Sequence, residues 1–282
     1  MKKFYSQGGK LSAEIKNFYG DGINYSTIMK LLRKKQVKVN GVRTGKDTPT
    51  RKGDFIEAYF DGLKRELKII YEDENLVVCY KKEGIASEDF YASVKEKYPT
   101  AGFIHRLDRN TDGIMVFSLN DMAERELLKG FKNRTFEKYY LAEVYGALKP
   151  EEATLTAYLK KDEERSEVKI FPKREKGSEK IITGYKTLKK GEETSLLEIR
   201  LITGKTHQIR AHMSFIGHFI IGDGKYGDER INRKFKKDKQ SLTAYKIVFG
   251  FEKESPLSYL DGKEIISEEG RLRSSFAKNK NC

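Results

Sequence analysis

The apolar positions of this chain fall first into short helical patterns and then, past residue 68, mostly into strand-like runs. Leu11-Ser12-Ala13-Glu14-Ile15-Lys16-Asn17-Phe18 reads as an amphipathic helix ending before Gly20. A second helix is expected from Ser26 as N-cap, with Ile28, Leu31 and Leu32 on one face. Val37-Lys38-Val39-Asn40-Gly41-Val42 predicts two short strands around a tight turn, because Asn-Gly tolerates the positive φ that a two-residue hairpin demands. Residues 62–68, Gly-Leu-Lys-Arg-Glu-Leu-Lys, have the polarity of a short interdomain linker.

Beyond it, Ile69 to Val78 predicts a strand pair, Glu88 to Tyr98 a helix stopped by Pro99, and Ile114-Met115-Val116-Phe117 a buried strand. Asp121 to Lys132 is expected as a helix with Met122, Leu127, Leu128 and Phe131 inward. Phe136 to Gly146 is a strand by its aromatic and β-branched content. Ala153 to Phe171 is charged and irregular, compatible with two short strands; Ile181 to Lys189, Ser195 to Ile202 and Ser241 to Phe251 are clearer ones. Between them a helix opened by Thr206 would turn Ile209, Met213 and Ile216 inward and end at Gly217. The charged tail from Asn279 is expected to fray.

At 282 residues the chain can hold one sizeable core or two unequal domains. Its 56 Lys and Arg against 42 Asp and Glu leave a net charge of +14, which favours a polyanionic partner. Cys79, inside an apolar run, and Cys282 provide neither a disulfide framework nor a thiolate metal cluster, so a reducing cytoplasm is the expected location. The basic start Met1-Lys2-Lys3 is not followed by the apolar core of a secretion signal. No apolar run approaches the roughly 20 residues needed to span a bilayer, and no membrane role is expected.

Chemistry concentrates in His105-Arg106-Leu107-Asp108-Arg109-Asn110-Thr111-Asp112-Gly113, where one carboxylate stands between two arginines just before the buried strand. A charged loop held by such a strand suits an active site, and it suits a solvated surface turn as well. The run resembles the H-R-L-D-x-x-T-S-G signature of the RluA/RluD-type pseudouridine synthases, with Asp112 at the serine position. Three further stretches resemble that family. Lys138-Tyr139-Tyr140 to Gly146 is similar to its K-x-Y-x-A-x-V-x-G strand and puts Tyr140 at the tyrosine position. Gly204-Lys205-Thr206-His207-Gln208-Ile209-Arg210-Ala211-His212 and Gly217 to Gly227 resemble T-G-R-T-H-Q-I-R-x-H and G-H-P-I-x-G-D-x-x-Y-G, with Lys205 for arginine and Phe219 for proline. The family's N-K-P-x-G reads Tyr80-Lys81-Lys82-Glu83-Gly84, so Lys82 replaces a proline and the loop loses a fixed φ. Residues 10–61 resemble the alpha-L RNA-binding module of a small-subunit ribosomal protein, through V-x-V-N-G and Gly53-Asp54-Phe55-Ile56. Altogether the resemblance spans about residues 10–250. Gly204-Lys205-Thr206 is not a P-loop, because that motif needs glycine where Ile199 stands. His207, His212 and His218 have no cysteine or acid at a ligand spacing, and are expected as hydrogen-bonded histidines and not as metal ligands.

The resemblance implies an α+β protein: a mixed, mostly antiparallel sheet with flanking helices as a catalytic domain (residues 69–282), and a small N-terminal α/β RNA-binding domain (residues 1–61). It implies isomerisation of uridine to pseudouridine in structured RNA, ribosomal RNA first and transfer RNA second, by a monomer. The reaction breaks the bond from ribose to the base nitrogen, turns the base and joins the ribose to carbon 5. With no oxidation and no external group, a carboxylate suffices as nucleophile and neither cofactor nor metal is implied. By resemblance Asp108 is that nucleophile. Tyr140 packs on the base and is a candidate to take the carbon 5 proton, and Arg106 fills the space of the flipped-out base, where a guanidinium plane can stack. Arg210 is expected beside Asp108, since a neighbouring guanidinium favours the charged form of a carboxylate. Arg109, Thr111, Lys205, His207 and Gln208 are expected at the substrate. Lys30, Arg33, Lys34, Lys35, Lys38 and Arg43 are expected on RNA phosphates. A second acid beside Asp108 would oppose its charge, so Asp112 is expected to point away from the pocket and cap the turn. The different-class alternative is an inactive RNA-binding or RNA-folding factor with the same fold.

Overall fold

In the computed structural model, residues 2–20, 23, 25–58, 67–162 and 167–272 are described. Packing divides the chain into two units: residues up to Leu67 together with Glu88–Pro99, and Lys68–Ser87 together with Thr100 onward. Of residues 62–68, only Leu67 and Lys68 lie within the described residues, and the tail from Asn279 lies outside them.

In the first unit β1 (Lys2–Tyr5) precedes a two-residue β2 (Gly9–Lys10), α1 (Leu11–Tyr19) and α2 (Tyr25–Arg33). Then follow β3 (Val37–Val39), β4 (Val42–Thr44), β5 (Pro49–Thr50) and β6 (Phe55–Ala58). One sheet runs β1-β6-β3-β4, and β2 pairs with β5. Leu11 and Ile15 from α1 meet Ile28, Leu31 and Leu32 from α2 over Val37 and Ile56, giving this unit its own core. Ser26 lies inside α2 and not at its cap: helical backbone already begins at Tyr25. Asn40 and Gly41 take φ 51° and 80° at the hairpin turn. Asn40 also accepts from Phe55 N and donates to Asp54 Oδ1, so the V-N-G and G-D-x-I stretches lock one another.

The second unit is built on one large sheet, 11-stranded among the described residues. Its strands are β7 (Lys68–Glu72), β8 (Leu76–Lys81), β9 (Gly102–Phe103), β10 (Asp112–Ser118), β11 (Glu137–Tyr145), β12 (Glu152–Asp162), β13 (Glu167–Phe171), β14 (Glu179–Lys190), β15 (Thr194–Leu201), β16 (Leu242–Val248) and β17 (Glu264–Ile266). The order β13-β12-β14-β15-β11-β16-β10-β8-β7 is antiparallel throughout except for the parallel β10–β16 pair, so the sheet is mixed and mostly antiparallel. The longer chain segments between strands form α3 (Ser87–Lys97), α4 (Asp121–Asn133), α5 (Gln208–Phe215) and α6 (Glu229–Lys234), and a 3-10 turn spans Ser258–Leu260. All but Ser87 of α3 groups with the first unit. The charged stretch from 152 forms strands of 11 and 5 residues, longer than its irregular pattern suggests, because β12 pairs on both edges with β13 and β14.

Val78, Ile114 and Val116 of the central strands pack with Leu127 of α4, Phe136, Ile247 and Phe249 into the main core. Helix α4 caps on Asn120, whose side chain accepts from Ala123 N. Leu128, expected inward, is 42% exposed; Ala123 and Gly130 share the buried face with Leu127 instead. Helix α5 begins one residue later than expected, after His207 at φ 52°, and Thr206 does not cap it.

The parallel contact is tight at one point. A Cβ on Gly113, at φ 124°, would lie 2.1 Å from Ala244 O, its register partner. Gly113→Ala is therefore expected to lose more than about 4 kcal/mol of stability, since both the backbone conformation and the strand contact fail. A thermal melt indistinguishable from that of the parent chain would contradict this packing.

Candidate active site

The loop from Ile104 to Thr111 enters β10 and is fastened on several sides. The Ser87 hydroxyl accepts from Leu107 N and donates to Leu107 O, at 2.9 and 2.8 Å. Thr111 N donates to Asp108 O, and Gln240 Nε2 donates to the Thr111 hydroxyl at 2.7 Å. Beneath it, fully buried Lys81 directs its ammonium to the carbonyls of Lys82, Ile85 and Arg109, and Gly84 N reaches the same Arg109 carbonyl. A lysine clamped by three carbonyls thus pins the 82–85 turn where Lys82 provides no proline ring. His105 stacks on Phe131 with centroids 4.6 Å apart, and its Nε2 accepts from Val116 N.

Arg210 is presented by α5, which is bolted to β14. Gln208 Nε2 donates to Ile182 O and the Thr183 hydroxyl, while its Oε1 accepts from the Thr203 hydroxyl and Lys205 N. His212 Nδ1 lies 3.0 Å from the same Thr183 hydroxyl, and Ala211 packs on Ala157, Leu159, Val168 and Ile181. The guanidinium is a two-sided bridge. Its Nε and Nη2 grip Asp223 at 2.7 and 2.9 Å, and its Nη1 donates to Asp108 Oδ2 at 2.8 Å. Burial opposes the charge on Arg210, but the two carboxylates outweigh it and raise its pKa. Burial likewise pushes Asp223 up, yet the hydrogen bonds and charge of Arg210 and the backbone N–H groups of Lys225 and Tyr226 leave it below the usual carboxylate range. Tyr226 lies under the guanidinium at 5.2 Å and hydrogen-bonds His207 Nδ1 at 3.0 Å.

This pair opens on a cavity of about 590 Å³ lined by Asp108, Tyr140, Arg210, Arg106, His207 and Lys205 among others. Asp108 Oδ2 is taken by Arg210, whereas Oδ1 faces His207 Nε2 at 4.0 Å, beyond hydrogen-bond range. Tyr140, only 8% exposed, forms part of the wall. Burial, and then the charge of Asp108, raise its phenol pKa, so its hydroxyl remains protonated near neutrality. Burial also lowers the pKa of His207 against the pull of Asp108. Among the described residues no group of His, Cys, Asp and Glu is arranged to hold a metal ion.

A family model described as RNA pseudouridylate synthase matches residues 75–215, half of the chain. A ribosomal large subunit pseudouridine synthase C of Vibrio parahaemolyticus is 33% identical over 234 residues, covering 73% of each chain. This chain belongs to the RNA pseudouridylate synthase family. A dual-specificity RNA pseudouridine synthase RluA of Yersinia pestis is 32% identical over 56% of this synthase and 81% of its own length. The solved structure of human RNA pseudouridylate synthase domain containing 1 shares the fold, with TM-score 0.60 and 22% identity over 78% of this chain and 98% of that one. The synthase is thus an isomerase acting on RNA, and the alternative of an inactive folding factor loses its ground.

The cavity gathers Asp108, Tyr140, Arg210, Arg106, Thr111, Lys205, His207 and Gln208 from stretches far apart in the chain. Arg109 is exposed and absent from the cavity wall, because only its carbonyl is drawn inward, by Lys81 and Gly84. Gln208 and Thr111 line the cavity and are deeply buried. Each is 2% exposed; the Gln208 amide is fully engaged within the protein and the Thr111 hydroxyl is held by Gln240, so they brace the loops that carry the site. Lys205 lies in the wall with its ammonium paired to Glu179. Asp112 points away from this cavity but caps no turn; it accepts from the Tyr80 and Thr243 hydroxyls, each at 2.6 Å. His207, His212 and His218 are each hydrogen-bonded. Asp223, Tyr226 and Gln240 carry the site without having been assigned roles from sequence; the first two stand in the Gly217–Gly227 signature, while Gln240 has no local signal. In the first unit Lys30, Arg33, Lys34, Lys35 and Arg43 are exposed and Lys38 is half-buried. Arg43 also donates to Lys35 O.

Two histidines of this unit set an acid limit. Burial, then the charge of Lys138, lowers the His105 pKa to about 3, and burial lowers that of His212 to about 4. Their unfolded forms take up protons near 6.5, so stability is full above that pH and falls as pH drops through the window from 6.5 toward 3–4. The melting midpoint should therefore fall between pH 7 and pH 5, and less steeply in His212→Asn. Parallel curves for the two proteins would contradict the buried neutral state of His212.

Proposed function

We propose that this synthase converts uridine to pseudouridine in large-subunit ribosomal RNA, with Asp108 as nucleophile. The carrying observation is the Asp108–Arg210–Asp223 bridge at the wall of an open cavity. Arg210 holds Oδ2 and leaves Oδ1 as the attacking atom. Attack of Oδ1 on the ribose carbon frees uracil from its N1 bond and leaves that carbon joined to Asp108; the base turns, carbon 5 displaces the carboxylate from the ribose carbon, the carbon 5 proton passes to solvent and N1 takes one up. Atoms and charge balance with no added reactant. Tyr140, buried in the cavity wall, serves as a packing surface for the base. Arg106, at the mouth, stacks where the everted nucleotide was.

Ribosomal RNA is favoured over transfer RNA because the relative named for the ribosomal large subunit matches over more of this chain than the dual-specificity one. The N-terminal unit, with Lys30, Arg33, Lys34, Lys35, Lys38 and Arg43, is proposed as an alpha-L-type docking domain for RNA phosphates. A monomer working in the cytoplasm completes this reading. The test is tritium release from [5-³H]uridine in two unmodified transcripts, bacterial large-subunit ribosomal RNA and a pool of transfer RNAs, followed by mapping of the modified positions. Release from the first supports the assignment; release from transfer RNA alone overturns the target, and release from neither overturns both.

A further inference from the structure

The cavity contains a cation that the bridge around Asp108 leaves unused. Lys138 projects from β11 into the cavity wall, with its ammonium 5.6 Å from the centre of the Phe131 ring. A Cβ built on Gly204 would meet that nitrogen at 3.8 Å, so the ammonium also lies close to the loop leading to His207. Burial, and then the charge of Arg134, lower its pKa. Among the described residues it has no hydrogen bond and no acidic partner. Its neighbours in the wall differ: Arg210 has two carboxylates, and Lys205 has Glu179. Desolvating a charge without a counter-ion is costly, and the cost is recovered only when an anion arrives.

Arg134 and Lys132 extend this cationic strip along the same cavity. Both close the last turn of α4, where cations offset the negative end of the helix, and that alone would explain them. It does not explain Lys138, which stands on a strand. Nor does it explain an arginine at φ 61°, a left-handed position that glycine or asparagine fills at lower cost.

We propose that Lys138 and Arg134 form a phosphate site that grips the RNA backbone beside the everted nucleotide; this rests on the pseudouridine synthase reading and adds to it the group that anchors the strand. The nucleotide reaching Asp108 carries a phosphodiester on each side, and neither can follow the base to the carboxylate without repulsion. A half-buried ammonium in the wall, with a guanidinium next to it, receives one of them as the base enters.

The experiment uses the full chain and a [5-³H]uridine transcript of bacterial large-subunit ribosomal RNA, with KM and kcat measured from 50 to 300 mM salt, in parallel with filter binding. Lys138→Met should raise KM about tenfold at 100 mM salt with kcat within about twofold, and reduce the salt slope of binding by about one. Arg134→Ala should act in the same direction, and Lys138→Arg should restore most of the loss. Because an uncompensated charge is removed, the melting midpoint of Lys138→Met should rise by about 2 °C. Unchanged KM and salt slope overturn the proposal. So does a lowered midpoint at unchanged slope, which makes the lysine a structural group, and so does a fall confined to kcat, which places it at the reacting atoms. Should the parent chain release no tritium, the RNA reading itself fails, and the binding slope still decides whether Lys138 meets phosphate.

Discussion

Asp108→Asn should abolish pseudouridine formation, lowering turnover by about four orders of magnitude or more. The substitution keeps the size of the side chain and an oxygen for Arg210 Nη1, but removes the carboxylate oxygen proposed as the nucleophile. Arg210 retains both bonds to Asp223, so the fold is expected to hold, with a melting midpoint within a few degrees of the parent. RNA affinity should be unchanged or slightly greater, because a negative charge leaves a cationic cavity. Tritium release and filter binding on the same preparation check this. Turnover retained at one tenth of the parent rate would remove Asp108 from the chemistry.

Arg210→Met should have the next largest effect, and it divides into two parts. Turnover should fall by about two to four orders of magnitude, because Asp108 loses the donor that fixes Oδ2 and points Oδ1 outward. Stability should fall by about 3–5 kcal/mol, because Asp223, 1% exposed, is left as a buried charge with only backbone partners. The double change Arg210→Met with Asp223→Leu separates them. It should restore much of the melting midpoint and none of the turnover, since the leucine ends the burial penalty without returning the guanidinium to Asp108. RNA affinity should change far less than turnover in either variant. Recovery of turnover in the double variant would show that Arg210 acts only as a structural counter-charge.

Much of the architecture could be read from local pattern. The Asn40-Gly41 hairpin, the strands at Ile114–Phe117 and Phe136–Gly146, and helices before Pro99 and after Asn120 each follow from periodicity, turn chemistry or a capping residue within a few positions. Boundaries slipped where those signals were weakest. Ser26 resembles a cap but sits inside its helix, and the charged stretch from 152 conceals an 11-residue strand because pairing on both edges outweighs its composition. Leu128 fits the apolar stripe of α4, yet the stripe that packs is turned toward Ala123, Leu127 and Gly130.

Asp108 and Arg210 could be nominated because each stands in a compact run of residues. Nothing local, however, states that side chains 102 positions apart meet at 2.8 Å, or that Asp223 takes the other side of the same guanidinium. Arg106 and Arg109 both flank the carboxylate in the sequence, two residues before it and one after. They part in space because the loop is anchored through the backbone of Arg109, on Lys81 and Gly84, which leaves Arg106 at the cavity. The run of apolar and polar residues thus specified the elements, through interactions that reach a turn or a strand pair, and the resemblance of one short run to a family signature nominated the acid. Which side chains converge on that acid depended on the register of β10 against β16 and on the bolting of α5 to β14, contacts made across the sheet that no short stretch of chain encodes.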